Sequence, residues 1–240
     1  YWRCFLSGIK LDLGSPQDAK LQRLLASIQI PTQQIQIYLL LGEFLIPVIC
    51  AVFFGRGPNQ PQVVISTASS FHLENAIFRA LVELSQIVSN LPSDRLLGNL
   101  NTLNKSDDQL VDDFLQHGLY YLKKENFSFL SFLFENSESS NIPEMRKLFE
   151  QGPHQNFEQL VAAMKKKEYD LMFKSYLTPE IQRIGGYVVR ALCPPLIPLD
   201  FRHKTRALGG KRYINFQDNL NIKSNIVESQ NLNQKPHPLF

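Results

Sequence analysis

Cysteine is scarce in this 240-residue sequence. Cys4, Cys50 and Cys193 lie far apart with no Cys-x-x-Cys spacing, which excludes a disulfide framework and a cysteine-based zinc site. An excess of one charge is lacking too: 25 Lys and Arg against 22 Asp and Glu give a formal net charge of +3. The basic clusters, Lys123-Lys124, Lys165-Lys166-Lys167 and Lys211-Arg212, are short, so nucleic acid is not an expected partner. There is no GxSxG, P-loop, GxGxxG, HExxH or EF-hand pattern. "GGKR", Gly209 to Arg212, lacks the Walker spacing and reads as a loop. No signal-peptide pattern follows Tyr1. The long hydrophobic run, Ile35 to Phe54, is broken by Gly42, Glu43 and Pro47. A charge at mid-membrane costs roughly 2.5 to 3.5 kcal/mol, so two buried strands joined by a turn are expected and a membrane span is not. These absences lead to the expectation of a cytoplasmic protein with reduced thiols, buried at Cys50 and Cys193. With Tyr1 in place of an initiator methionine, it is also expected to be part of something longer.

What is present is apolar material for one large core: 44% of residues are hydrophobic and 20% charged. Ser15 to Ser27 reads as an amphipathic helix, with Ser15-Pro16 at its start and Ala19, Leu21, Leu24, Leu25 and Ile28 inward. "IQIYLLL", "PVICAVFF" and "VVIST" read as strands, and "GRGPNQPQ" as a loop. A helix then runs to Asn90 and Pro92, and a second is expected from Asp107 to Tyr121 with Leu110, Val111, Phe114, Leu115 and Leu119 apolar. Residues 135–155 read as a mobile polar excursion around one short helix, and Asn156 to Lys167 as a helix with Lys165 to Lys167 solvated. "YDLMFKSY" reads as a strand and "GYVVRALC" as a buried one. The order implies an α+β (mixed α/β) fold, with mixed sheets flanked by helices. Two parts are expected, 1–216 as the folded domain and 217–240 as an irregular, proline-ending polar tail.

Three stretches carry chemistry. In "SFHLENAIFRALVELSQ" Arg79, Glu83 and Gln86 fall within about 60° on a helix, on a polar strip beside Ala76, Ala80, Leu84 and Ile87. The plain reading is an amphipathic helix with an i,i+4 Arg79–Glu83 pair, and periodicity favours it. The functional reading is a hard-cation site in which Glu83 binds Mg²⁺ beside a phosphate group and Gln86 orients the shell. Glu74 is roughly opposite Glu83 on an ideal helix and shares a metal with it only from the helix start. The second stretch is His117-Gly118-Leu119-Tyr120-Tyr121, where a histidine beside glycine reads as a capping or structural residue. The third, Lys235 to Phe240, alternates proline with His237 and ends in an aromatic. Terminal residues are commonly disordered, yet this shape is pre-extended for docking in a cleft.

These stretches resemble the YcaO-domain family. "ENAIFRALVELSQ" is similar to its Arg-Ala-Leu, Glu, Gln helix, "HGLYYLKKENFSFLSFL" to its His…Tyr-Tyr segment, and "GGYVVRALCPPLIPLDFRHKTRALGGKRY" to its late strand and following loop. "PHPLF" resembles the proline-rich terminus of azoline-forming members, so four segments match in order from Ser69 to Phe240. The resemblance implies a YcaO-like layered fold and an ATP- and Mg²⁺-dependent cyclodehydratase of thiazole- and oxazole-modified peptide (microcin-type) biosynthesis. There a Cys, Ser or Thr of a ribosomal precursor peptide becomes a thiazoline or oxazoline through phosphorylation of the backbone amide oxygen. Thioamide formation and a degenerate, non-catalytic peptide- or partner-binding protein are the alternatives. By position, Ser70, Glu74, Arg79, Glu83 and Gln86 match the nucleotide-binding motif, with Glu74 and Glu83 at the metal. Pro236, His237 and Pro238 match the terminal catalytic motif, His237 being the candidate for proton transfer. The implied partners are the precursor peptide and an E1-like leader-binding protein, and a homodimer is compatible with it. The family's first nucleotide motif, a Ser-xx-Glu-xx-Glu-Arg helix, has no match here, and "PPLIPL" stands where Pro-Gly is commoner. The sequence is accordingly expected to be the C-terminal portion of such a domain.

Overall fold

Continuous apolar runs belong to strands covered on both faces, and that is how "IQIYLL" and "VICAVFF" are used. The computed structural model describes residues 1–14, 18–57, 60–91, 111–135, 137–153, 155–209, 212–219 and 231–239. Its main sheet contains β1 (Ile9–Asp12), β2 (Ile35–Leu40), β3 (Val48–Phe54), β4 (Val63–Ser69) and β5 (Ser139–Asn141), in the order β4-β3-β2-β1-β5. Neighbours from β1 to β4 are antiparallel, while β5 pairs in parallel with β1. Among the described residues a second sheet holds β6 (Met172–Ser175) and β7 (Val189–Leu192).

Alternation assigns the two faces of the main sheet. Ile35, Ile37, Leu39, Ile49, Ala51, Phe53 and Val64 face α2 (Leu73–Asn90), which buries Leu73, Ala76, Ile77, Ala80, Leu81 and Leu84 at helical spacing. Small residues let this helix approach β4 closely, and Ser66 Oγ donates to the Ala80 carbonyl at 2.7 Å. On the opposite face, Tyr38, Cys50, Val52, Val63 and Ile65 pack against Tyr120, Tyr121, Leu130 and Leu133. These come from α3 (Phe114–Tyr120) and the 3₁₀ segment Lys124–Leu133. The remaining helices are α1 (Ala19–Ser27), α4 (Ile142–Glu150), α5 (Phe157–Lys166), α6 (Pro179–Arg183) and α7 (Arg212–Asn219).

Several expectations are corrected. The cap of α1 is Asp18, whose carboxylate accepts from the Leu21 N–H at 2.8 Å; Ser15 and Pro16 lie outside the described residues. The second helix begins at Phe114 on the Asp113 cap, with Leu115 exposed and positions 107–110 outside the description. Residues 135–155 are no free excursion: β5 joins the sheet, and Phe149 of α4 is buried. Lys167 is not simply solvated, because its ammonium lies 3.6 Å from the buried Glu43 carboxylate. All three cysteines are free thiols, and burial pushes Cys50 up to about 12, but Cys193 is only half-buried. The largest correction concerns "GYVVRALC", whose strand is exposed throughout. Among the described residues no helix is long and apolar enough to cross a membrane.

Candidate functional site

The β4–α2 junction carries the first set of candidate residues. Ser70 follows the last residue of β4, and its hydroxyl accepts a long bond of 3.4 Å from the His72 N–H. Glu74 lies in the first turn of α2, and Arg146 of α4 holds its carboxylate in a short, half-buried ion pair. Arg79, Glu83 and Gln86 are all exposed on the other side of the helix, and among the described residues no ion pair joins Arg79 to Glu83. Partial burial raises the Glu83 carboxyl above its ordinary value, and the Thr67 backbone acts in the opposite direction. The two carboxylates are thus in different settings: Glu74 is satisfied by a guanidinium, whereas Glu83 meets the Thr67 backbone and no cation among the described residues. Among the described residues no three His, Cys, Asp or Glu side chains converge to hold a metal. Mg²⁺ is commonly bound by one or two carboxylates plus substrate phosphates, a demand that Glu83 fits and Glu74 meets only by releasing Arg146.

The C-terminal segment is buried, although it is polar and proline-rich. Arg3 organises it. One nitrogen, Nη1, donates to the carbonyls of Asn233 at 2.6 Å and Lys235 at 2.9 Å, and Nη2 pairs with Asp200 Oδ2 at 2.6 Å. Trp2 Nε1 donates to the Lys235 carbonyl at 3.2 Å, and the Tyr121 hydroxyl to that of Pro236 at 2.6 Å. Leu239 then lies alongside Ile65 in a parallel bridge. The chain seats carbonyls on donors and withholds N–H groups at its prolines, so few backbone groups are left to satisfy.

His237 is 3% exposed, and its Nε2 sits 2.8 Å from the Asp200 carbonyl. A carbonyl can only accept, so Nε2 carries the proton and Nδ1 is left to accept from the Leu239 N–H at 3.3 Å. Its ring stacks on His117 at 3.9 Å and 10°, and His203 meets His117 edge-on at 6.2 Å. Of the two readings of His117 the structural one describes it: it is fully buried, and among the described residues neither ring nitrogen has a hydrogen-bond partner. Burial, then the neighbouring histidines, lowers its pKa to about 3. Burial also lowers that of His237. Both rings are neutral at pH 7.

A cavity of about 210 Å³ opens beside this segment, lined by Leu40, Cys50, Ile65, Thr67 and Leu133 on the sheet side and by Asp200, His237, Pro238 and Leu239 opposite. It is smaller than the roughly 300 to 1,000 Å³ typical of ligand pockets, so it suits a side chain or a short backbone stretch better than a nucleotide. Thr67 links the two motifs, since it lines this cavity and its backbone neighbours Glu83. Ser70, Glu83 and the tail therefore gather around β4, while Glu74 turns to α4. Sequence reading missed Arg3, Asp200, Tyr121 and His203. The signal for them was that Tyr121 stands in the quoted His…Tyr-Tyr segment and Asp200 and His203 in the quoted late-strand segment, while Arg3 stands in none.

A family model described as YcaO cyclodehydratase, ATP- and Mg²⁺-binding, matches residues 2–197. Among solved structures, a heterocyclase in complex with substrate and cofactor superposes with a TM-score of 0.69 at 14% identity, over 99% of this chain and 29% of that one. The heterocyclase TruD gives 0.61 at 18% identity, over 99% and 30%. The E. coli microcin synthetase McbBCD complex with pro-MccB17 bound gives 0.57 at 12% identity, over 100% and 56%. These likenesses show the mixed α+β fold of such heterocyclases, and the chain spans under a third of the first two. No curated protein matches the sequence.

Proposed function

The chain belongs to the YcaO cyclodehydratase family, and from that premise we propose that it forms part of an ATP-dependent cyclodehydratase acting on a ribosomal precursor peptide. A Cys, Ser or Thr side chain adds to the preceding carbonyl carbon, the resulting oxygen takes the γ-phosphoryl group of ATP, and phosphate then departs with that oxygen. The peptide becomes a thiazoline or oxazoline, having lost one water, and ADP and phosphate are released. Bound Mg²⁺ supplies charge neutralisation at the phosphates.

In this reading Glu83 and Gln86 hold the metal–phosphate end and Arg79 contacts phosphate, with Ser70 and Glu74 at the start of the same helix. The precursor backbone lies at the cavity beside His237, flanked by Pro236 and Pro238, and an E1-like protein presents the leader. His237 holds a proton on Nε2 and a lone pair on Nδ1, so it can relay a proton once Leu239 releases Nδ1. The observation that carries the reading is the seating of the Pro236–Pro238 segment against β4, around the residue that also neighbours Glu83.

A second reading, a non-catalytic peptide binder, draws on the engagement of Glu74 by Arg146. One experiment separates them: ATP turnover by the protein with its precursor and leader-binding partner, followed with peptide mass. Turnover coupled to loss of water supports a cyclodehydratase, and exchange of oxygen for sulfur would identify a thioamide-forming enzyme instead. Glu83→Gln is expected to lower turnover at least about a hundredfold with stability unchanged, as for loss of a transition-state charge contact. Undiminished turnover would remove Glu83 from the site.

A further inference from the structure

His117 fills a place that a phenylalanine would fill at lower cost in free energy. It is 0% exposed, and among the described residues neither ring nitrogen meets a hydrogen-bond partner. An unsatisfied buried polar group destabilises the folded chain, and a ring of carbon alone avoids this. What the imidazole does instead is indicated by the ring of His237, which lies parallel to it at 3.9 Å and 10°.

One helix supplies the cradle for His237. Phe114 and His117 stand three residues apart on α3 and so share a face, and Phe114 also meets the His237 ring, at 5.5 Å and 52°. Tyr121, at the C-cap, donates to the Pro236 carbonyl at 2.6 Å. The Asp113 cap fixes the start of the helix, its carboxylate accepting from the Gln116 N–H at 2.8 Å. These contacts are internal to the chain, so they do not depend on which surfaces a longer protein covers.

The charged and titratable groups facing the two rings are His203, Asp200 and Arg3. Arg3 pairs with Asp200 at 2.6 Å, so their charges offset each other. Tyr1, Cys50 and Tyr213 line the adjoining cavity, are pushed up by burial and stay neutral. His117 itself stays neutral down to about pH 3. A neutral imidazole presents a π face and a ring dipole, and with no hydrogen bond pinning either nitrogen its tautomer can adjust. Both features favour a positive charge on the ring lying against it.

We infer that His117 is a positioning residue for His237, fixing the plane of its ring and stabilising the positive charge that the ring takes on in proton transfer. The inference rests on the reading of His237 as the proton relay. In that step the S–H or O–H bond of the attacking side chain breaks as an N–H bond forms at His237 Nδ1, and the departing phosphate later takes that proton. His237 is an imidazolium in between. A dipole already in place when the charge develops needs no reorganisation during the step.

The test compares His117→Phe and His117→Leu with the parent in the full protein. Phenylalanine keeps the π face and loses the dipole; leucine loses both. Histidine C2-hydrogen exchange, followed by mass spectrometry across pH, titrates His237 in its own peptide and needs no substrate. The His237 midpoint should fall in the order parent, Phe, Leu, while amide exchange in β3 and β4 stays as slow as in the parent. ATP turnover with the precursor and leader-binding partner should fall in the same order, at least about tenfold for Leu, in kcat and not in KM for the peptide. A purely structural His117 gives equal midpoints and undiminished kcat in both variants; either result overturns the inference, as does a midpoint that rises. Turnover that survives His237→Gln overturns instead the reading of the reaction on which the inference rests. The exchange titration involves no reaction and so keeps the two failures apart.

Discussion

The segment Leu232 to Leu239 and the β6–β7 hairpin make opposite use of their composition. The first is polar and proline-rich, yet Asn233 and His237 are each 3% exposed; the second is rich in Val, Leu, Phe and Tyr, yet lies on the surface. Burial is decided by which groups find partners as well as by hydropathy. The tail brings carbonyls to Arg3, Trp2 and Tyr121, so these carbonyls enter the interior satisfied, while the Asn233 amide nitrogen has no partner among the described residues. The hairpin satisfies only its own ladder, and among the described residues its side chains stay largely exposed, Phe173 meeting Phe157 of α5 edge-on.

The comparison breaks most severely at Arg3. Arg3→Met leaves Asp200 buried with no cation and the Asn233 carbonyl without its donor, Lys235 keeping Trp2, and should cost about 3 to 5 kcal/mol in urea unfolding. A loss below about 1 kcal/mol, a surface-pair value, would mean the tail is not held as described. Acid should act next. His117 and His237 have folded pKa values below the ordinary one, so the unfolded chain binds more protons. Their contribution is complete above about pH 6.5 and is lost as pH falls toward 3, the Asp200 carboxylate and the Arg3 guanidinium facing the same rings. Melting temperature should therefore fall across that window, and less so in His117→Phe. Tyr121→Phe removes one hydrogen bond to the tail and should cost about 1 kcal/mol in the same urea assay. The smallest change is expected in the hairpin, where Val189→Thr should shift stability by under about 0.5 kcal/mol, because the side chain is already in water. A larger loss there would show that the hairpin is covered, and would make the two regions alike.

The central strands and α2 were legible in sequence for the same physical reason. Both sheet faces are packed, so β2 and β3 read as unbroken apolar runs, and the single buried face of α2 repeats at three and four residues. β5 was not legible: Ser139–Asn141 has no strand pattern and is placed only by its parallel pairing with β1. Of the candidate site, the residues on α2 and in Pro236–Pro238 could be named from motif resemblance. Which of them meet could not, since the Arg146 partner of Glu74 is remote in sequence. Whether His117 caps its helix or packs inside could not be read either, because its stacking partner, His237, is likewise distant along the chain. The exposure of β7 contradicts its hydropathy, and no local pattern announces it.

The three bonds from Arg3 span 197, 230 and 232 residues. Contacts of that separation close the largest loops in the molecule, and such loops are ordered after local helices and hairpins have formed. The slot holding His237 is thus a late product of folding, assembled only when segments near both ends have reached their places. A molecule misfolded at either end would keep much of its sheet and α2 and still lack the slot. Competence at this site then reports on the integrity of the whole fold, a built-in form of quality control.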